Sequence, residues 1–260
     1  MKKFIIFFLF LPIVISATQS DGFYEEQKLI SNLKNNVPKY LSKLKLIIKD
    51  INRNDTTYSE LLNGMEMATA LYLAVDSKAI KLRVVEIGYK IARSAVVLSP
   101  ERGEGYYYLG IFTGFIGFIK GVQYILNYLP IVDKWSKKAI QYSPSFHNGS
   151  PYVLRCAIYF EAPGFPLSIG NLNKAEKFCS IAKRNYPVNC TSYLYLATIK
   201  DIYGNKIEAK KILEDGKKNC SISADTIESK IWYYRDINLI NKMLDYLDNN
   251  KNIKELLKER

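Results

Sequence analysis

Few residues of this sequence could do chemistry. The single histidine, His147, follows Pro144 in a predicted turn, and no acidic residue lies at a spacing that would orient it as a general base. Glu101, Glu104 and Glu161 are the carboxylates closest to the inserted segments described below. Two of them could share acid-base catalysis, but nothing in the sequence brings two together. The motifs of phosphate-binding loops, zinc proteases and serine hydrolases are absent from the sequence. We therefore expect a protein that is not an enzyme and has no cofactor.

The four cysteines could form disulfides if the protein is exported. If residues 190–220 form one helical hairpin, Cys190 begins its first helix and Cys220 ends its second, and antiparallel helices bring these ends together. A disulfide between Cys190 and Cys220 is therefore the candidate bridge. Cys156 and Cys179 fall on apolar helix faces, where a buried free thiol is at least as favoured as a bridge. Because there is no CxxC motif and no histidine partner, we expect no metal site.

The N-terminus has the layout of a secretory signal peptide. Lys2 and Lys3 precede an apolar run from Phe4 to Ile15, and small residues follow up to Ser20. A short buried helix is the alternative, and the run is too short for a membrane span, which needs roughly 20 residues. We predict a signal peptide over residues 1–20 and an exported protein, periplasmic or extracellular, that is soluble after signal cleavage.

The net charge is +12 at pH 7, and removal of Lys2 and Lys3 would leave +10 (12 − 2). A basic surface can attract anionic lipid headgroups or acidic proteins. The lysines are scattered along predicted helix surfaces, without an arginine cluster or alternation with aromatic residues. We therefore expect no nucleic-acid partner, and a peripheral contact with a membrane stays open.

The elements that must position any site are helices with an internal repeat. The segments NLNKAEKFCSIAKRNYP (171–187) and NKIEAKKILEDGKKN (205–219) align 34 residues apart (205 − 171), which is the tetratricopeptide (TPR) period. In such hairpins small residues let one helix nest against the other, and a proline closes the helix. This ending recurs at Gly88, Ala92, Ala95 and Pro100, at Ser136, Ala139 and Pro144, at Ala175, Ala182 and Pro187, and at Ala209 and Gly216.

The helix predicted over Glu104 to Lys120 has two contrasting faces. Gly110, Gly114, Gly117 and Gly121 lie on one face, where another backbone can approach closely. The other face is aromatic. Such a stripe is typical of a core, and beside an inserted segment it could also line an apolar pocket. Its residues are Tyr106, Tyr107, Phe112, Phe115 and Phe118.

The prolines are 44 and 43 residues apart (144 − 100 and 187 − 144), so two repeats contain insertions. Gly121 to Leu129 is apolar and leads through Pro130 to a helix with Trp135. Ala162 to Gly170, APGFPLSIG, has too much proline and glycine for a helix, and we expect it to fold back on the repeats. Insertions often mark the binding face of a repeat protein. The candidate binding residues are Tyr106, Tyr107, Phe112, Phe115, Trp135 and Phe165.

The C-terminal part predicts end caps. Ser221 to Tyr234 and Asp236 to Leu247 are predicted as two further helices, and the polar segment from Asn249 to Arg260 is predicted to fray. We predict an all-α fold: a single domain over residues 21–260, built as a TPR-like helical-hairpin solenoid with two inserted loops and helical end caps.

With these residues placed, residues 84–213 resemble the TPR-type periplasmic proteins related to the T component of tripartite ATP-independent periplasmic (TRAP) transporters. The segments that carry the resemblance are GYKIARSAVVLSPERGEGYYYLGIFTG (88–114) and GSPYVLRCAIYFEAPGFPLSIGNLNKAEKFCSIAKRNYP (149–187). The resemblance implies an exported, all-helical, non-enzymatic protein. Such a protein would partner a solute-binding protein or hold an apolar ligand between its helices.

Two functions follow. The first is a scaffold that binds another envelope protein, such as a periplasmic solute-binding protein, through surfaces rich in tyrosine and lysine. The alternative is a carrier with a small apolar molecule in a cavity between the helices. The direction of the rings in the inserted segments distinguishes these two functions. In a carrier the rings would point inward, away from water, and in a scaffold they would point outward and form a patch.

Overall fold

The fold is all-α in a computed structural model that describes residues 21–258. Within these residues the only β-type pairing is an isolated bridge between Gly164 and Gly170, so the predicted all-α class is confirmed. The signal peptide predicted over residues 1–20 lies outside the described residues. The helices are α1 (Asp21–Asn35), α2 (Val37–Asn52), α3 (Tyr58–Ala74), α4 (Lys78–Leu98), α5 (Gly103–Lys120), α6 (Val122–Tyr142), α7 (Ser150–Glu161), α8 (Leu172–Asn185), α9 (Cys190–Ile202), α10 (Lys206–Asn219), α11 (Ile227–Asp248) and α12 (Ile253–Lys258).

Local sequence explains several helix starts. Proline occupies the first turn of α2, where its missing N–H has no intrahelical partner to lose. The α3 helix begins with a capping box, in which the Thr57 hydroxyl accepts from the Glu60 N–H and the Glu60 carboxylate accepts from the Thr57 N–H. None of the described helices combines the length and apolar character needed to cross a bilayer.

The described residues group into two compact units. One unit, here called the N-unit, comprises residues 27–146 and 226–231, and the other, here called the C-unit, comprises 21–26, 147–225 and 232–258. Within each unit, helices that follow one another in sequence pack together: α3, α4, α5 and α6 in the N-unit, and α7 to α10 in the C-unit. The single repeat domain stays a prediction, since compact packing units are not a test of independent folding.

Three helices end in nearly the same turn. Ser99, Ser143 and Tyr186 follow α4, α6 and α8 with φ between −145° and −137° and ψ between 61° and 77°. Each donates its N–H to an alanine four residues earlier, and each accepts from the N–H three residues later at 3.0–3.1 Å. The predicted prolines Pro100, Pro144 and Pro187 directly follow these residues. The sequence ending is therefore also a recurring backbone structure.

The small residues of that ending are at tight helix contacts. Seven of them are fully buried, and the two glycines leave no room for a larger side chain. A Cβ on Gly88 would lie 2.5 Å from Cζ of Phe112, and one on Gly216 would lie 3.0 Å from Cβ of Tyr193. The buried residues are Ala92, Ala95, Ser136, Ala139, Ala175, Ala182 and Ala209.

The predicted inserted loop over Gly121 to Leu129 is wrong. Gly121, with φ of +103°, is a single-residue hinge after α5, and α6 then runs helically through Pro130. This segment is helical because helix formation buries Ile125 and Leu129, one turn apart, and places Ile125 directly against Gly117. Pro130 is exposed, so its missing N–H costs no buried hydrogen bond.

The C-terminal predictions also need correction. The two helices predicted on either side of residue 235 are one continuous helix, α11. The segment predicted to fray contains α12, whose Ile253 and Leu256 are buried against the core of the C-unit. Two apolar residues one turn apart are enough to dock this short helix on a neighbour.

Candidate functional site

Four of the six predicted binding rings are in the core of the N-unit. Tyr106, Tyr107, Phe112 and Phe115 are at most 7% exposed. Phe112 contacts Gly88, and Phe115 stacks on Tyr72 with ring centroids 3.9 Å apart. Of the two alternatives that the sequence left open for this stripe, core packing is the one that the structure shows. The glycine face of the same helix is also largely packed, with Gly110 and Gly117 buried and Gly114 partly exposed.

The other two predicted residues lie on the surface. Trp135 is partly exposed on α6 and makes an edge-to-face contact with Tyr89, with centroids 6.3 Å apart. Phe165 belongs to the C-unit and is 93% exposed. Phe165 is therefore the predicted residue with the largest free ring surface.

Phe165 is at the tip of the segment Ala162 to Gly170, here called the apolar loop. The loop closes on itself through backbone hydrogen bonds: Gly170 donates to the Pro163 carbonyl at 2.8 Å, and Leu167 donates to the Gly164 carbonyl at 3.1 Å. A Cβ on Gly170 would lie 1.9 Å from the Ala162 carbonyl oxygen, so only glycine fits at this closure.

The tip of the apolar loop directs its side chains outward, while Pro163 at its base is buried. Leu167 is 68% exposed and Ile169 38%, in addition to Phe165. The prediction that this segment folds back on the repeats is therefore wrong. The physical reason is that the loop satisfies its backbone groups internally, so its closure does not require burial of the side chains.

A rigid helix pair supports the apolar loop. It connects α7 to α8, and a disulfide joins Cys156 of α7 to Cys179 of α8, with Cα atoms 5.4 Å apart. Arg155 lies over the rings of Tyr159 and Phe178, which stack on each other. After the loop, the Asn171 side chain caps α8 and its N–H donates to the Tyr159 carbonyl at 2.8 Å.

The structure corrects the cysteine pairing. The sequence favours buried free thiols at Cys156 and Cys179 at least as much as a bridge. In the structure these two cysteines form the disulfide, because α7 and α8 place them opposite each other. Cys190 and Cys220, the predicted pair, are free thiols. The hairpin does bring these two ends together, since burial and the neighbouring Cys220 thiol raise the pKa of Cys190 above its usual value.

The carboxylates considered for catalysis have structural partners. Glu161 is buried and accepts a hydrogen bond from the Tyr195 hydroxyl at 3.5 Å. Burial and the Glu161 charge raise the pKa of Tyr195 well above its usual value, so this phenol stays neutral. Glu104 accepts from Arg102 and from Tyr58. In the part of the chain that the structure describes, no group of acidic residues, histidine and cysteine has the arrangement of a metal site.

Leu167, Ile169 and the Cys156–Cys179 disulfide are elements of this site that sequence reasoning missed. Leu167 and Ile169 alternate with polar or small residues in APGFPLSIG, and this outward pattern was available in the sequence. The disulfide had no local signal, since it depends on how α7 and α8 pack.

Comparison with known proteins finds no protein family model that matches the sequence and no curated protein that matches it.

Proposed function

We propose that this protein is an exported, non-enzymatic scaffold with a TPR-like repeat, which binds a partner protein through the apolar loop. The observation that carries the proposal is the outward exposure of Phe165 and Leu167 on a disulfide-linked helix pair. Exposed apolar groups of this size are unfavourable in water unless another surface covers them. A tip held by rigid helices also loses little conformational entropy on binding.

The TPR-like part of the proposal is supported by equivalent contacts in two hairpins. In α5 and in α9 the fourth residue is a tyrosine whose hydroxyl donates back to the closing proline's carbonyl: Tyr106 to Pro100 at 3.1 Å and Tyr193 to Pro187 at 2.8 Å. Two residues later, Tyr108 and Tyr195 are fully buried and donate to a glutamate. Such repetition favours one duplicated helical unit.

The partner we favour is an envelope protein with an apolar recess, such as a periplasmic solute-binding protein. The class of partner comes from the resemblance to TRAP-related proteins, and the recess comes from the shape of the loop. The alternative, a carrier whose cavity is bordered by the predicted rings, has less support. Phe112 and Phe115 are buried in direct contact with neighbouring side chains, as core residues are.

The test is photocrosslinking in the exporting cell. A crosslinking amino acid replaces Phe165, and in a matched protein it replaces Ile207, which is 87% exposed in the same unit. We expect one discrete crosslinked product at position 165 and none at position 207.

The crosslinked protein is then purified and its affinity measured. We expect the double substitution Phe165→Ser and Leu167→Ser to weaken binding at least tenfold, because truncation of a buried aromatic anchor typically costs about 2 kcal/mol or more. Ile207→Ser should leave the affinity unchanged. Equal affinity of the double variant and the unmodified protein would refute the role of the apolar loop.

A further inference from the structure

The N-unit contains an open groove between the C-terminal half of α2, the start of α3 and the C-terminal half of α4. Its volume is about 450 Å³, which is within the usual range for small-molecule sites. Its lining residues are separate from the apolar loop and from the rings that the sequence singled out. Ligand binding in this groove therefore does not depend on the proposed scaffold function.

The walls of the groove are largely aliphatic, and the neutral polar residues Asn52, Asn54, Thr56 and Ser94 also line it. Ile48 and Ile51 of α2 and the fully buried Leu61 of α3 form one side, and Val97 and Leu98 of α4 form the other. Val97 is 83% exposed and Leu98 is 50% exposed, so the rim presents apolar surface to water. No aromatic side chain lines the groove. These walls suit a flexible alkyl chain.

The charge of the groove is entirely positive. Lys90 and Arg93 line it together with Val97, and steps of three and four residues place all three on one face of α4. No carboxylate lines it; Asp50 and Asp55 are close in sequence, but neither is among the lining residues. Within residues 21–258, no ion pair uses Lys90 or Arg93.

The helix itself does not account for these two cations. The negative end of a helix dipole favours basic residues only in the last turn, and the last turn of α4 contains none. Arg93 lies five residues before the helix ends at Leu98 (98 − 93). Two exposed cations therefore lie beside a largely aliphatic groove. This arrangement suits a ligand with an anionic head group and an alkyl chain.

From this geometry we propose that the groove between α2, α3 and α4 binds a free fatty acid. The carboxylate pairs with Arg93 and Lys90, and the alkyl chain covers Ile51 and Val97. A guanidinium can hold a carboxylate through two parallel hydrogen bonds, and the chain removes the exposed rim from water.

The test uses isothermal titration calorimetry with three probes of equal chain length: decanoate, decanol and decyltrimethylammonium, each below its micelle concentration. We expect decanoate to bind at one site, decanol at least tenfold more weakly, and the cationic probe not at all. Binding of decanoate should weaken as ionic strength rises, because the paired charges are near solvent. Equal binding of all three probes would overturn the proposal.

Charge reversal locates the site. Lys90→Glu with Arg93→Glu should weaken decanoate binding at least tenfold. The control pair, Lys177→Glu with Lys211→Glu, changes the net charge equally at exposed positions in the middle of α8 and α10 and should leave binding unchanged. All four side chains are exposed, so circular dichroism should show the same helix content in every variant. An equal loss in the control pair would refute the assignment.

Two further measurements separate this site from other interpretations. Phe165→Ser should leave decanoate binding intact, so failure of the scaffold proposal and failure of this one are distinguishable. Sedimentation with phosphatidylglycerol vesicles tests a membrane surface as the source of the anionic group. If the vesicles bind the protein through Lys90 and Arg93 while decanoate does not bind, the fatty-acid proposal is wrong.

Discussion

Substitution of Gly88 by alanine tests whether small residues are required where the repeat helices nest. Gly88 lies in α4, and its Cα faces Phe112 of α5 and Ala68 of α3. A Cβ at this position would be 2.5 Å from Cζ and 2.7 Å from Cε1 of Phe112, and 2.9 Å from Cβ of Ala68. Ordinary carbon contacts are about 3.5–4.0 Å, so the ring would have to move by about 1 Å.

Two opposing effects decide the magnitude. Alanine is a better helix former than glycine by about 0.5–1 kcal/mol. Overpacking of a tight core typically costs about 1–3 kcal/mol. Phe112 is fully buried and its ring stacks near Tyr108, so it has little freedom to move away. We therefore expect Gly88→Ala to lower the free energy of unfolding by about 1–2 kcal/mol.

The assay is urea unfolding followed by far-ultraviolet circular dichroism, on four proteins that form a double-mutant cycle. Phe112→Leu alone should cost about 1 kcal/mol or more, since it leaves a cavity. In the double variant the smaller side chain makes room for the new methyl group. We expect the two effects to be non-additive by about 1 kcal/mol or more.

Two results would refute this reasoning. If Gly88→Ala is as stable as the unmodified protein or more so, helix propensity outweighs the contact. If the two substitutions are additive, the cost does not arise from the ring of Phe112. The first result would mean that the small residue has no packing role, and the second that its role is against another neighbour such as Ala68.

Two further predictions concern stability. Removal of the disulfide by Cys156→Ala with Cys179→Ala should lower the free energy of unfolding by about 3 kcal/mol, because the bridge, with a sequence separation of 23, restricts the unfolded chain. Thermal unfolding of this variant should no longer respond to reductant. Retention of full stability would contradict the bridge. Burial tends to raise the pKa of Glu104, but hydrogen bonds from Arg102 and Tyr58 outweigh it and hold that pKa below its usual value of 4.5. A carboxylate with a lowered folded pKa stabilises the protein above its unfolded pKa and loses this effect as pH falls through the folded one. Glu104→Gln should therefore be destabilising at neutral pH, with the difference vanishing in acid; a difference independent of pH would refute this.

Several helix ends could be predicted from the sequence alone, because they depend on neighbouring residues. Pro100, Pro144 and Pro187 each lie two residues after the last residue of a helix, in agreement with the predicted role of proline in closing these helices. The sequence also offers core packing as one of two interpretations of the aromatic stripe of α5, and this is the one found. Apolar periodicity and proline sterics act within one or two helical turns, so they can be evaluated without the rest of the fold.

Features that depend on what a segment packs against became visible only in the folded structure. Residues 122–129 are helical because Ile125 meets Gly117, a contact that sequence spacing alone did not identify. Cys156 pairs with Cys179 because α7 and α8 lie side by side. The groove beside Lys90 and Arg93 exists because three helices leave space there. Such contacts join residues distant in sequence, and their energies arise only after the helices have docked.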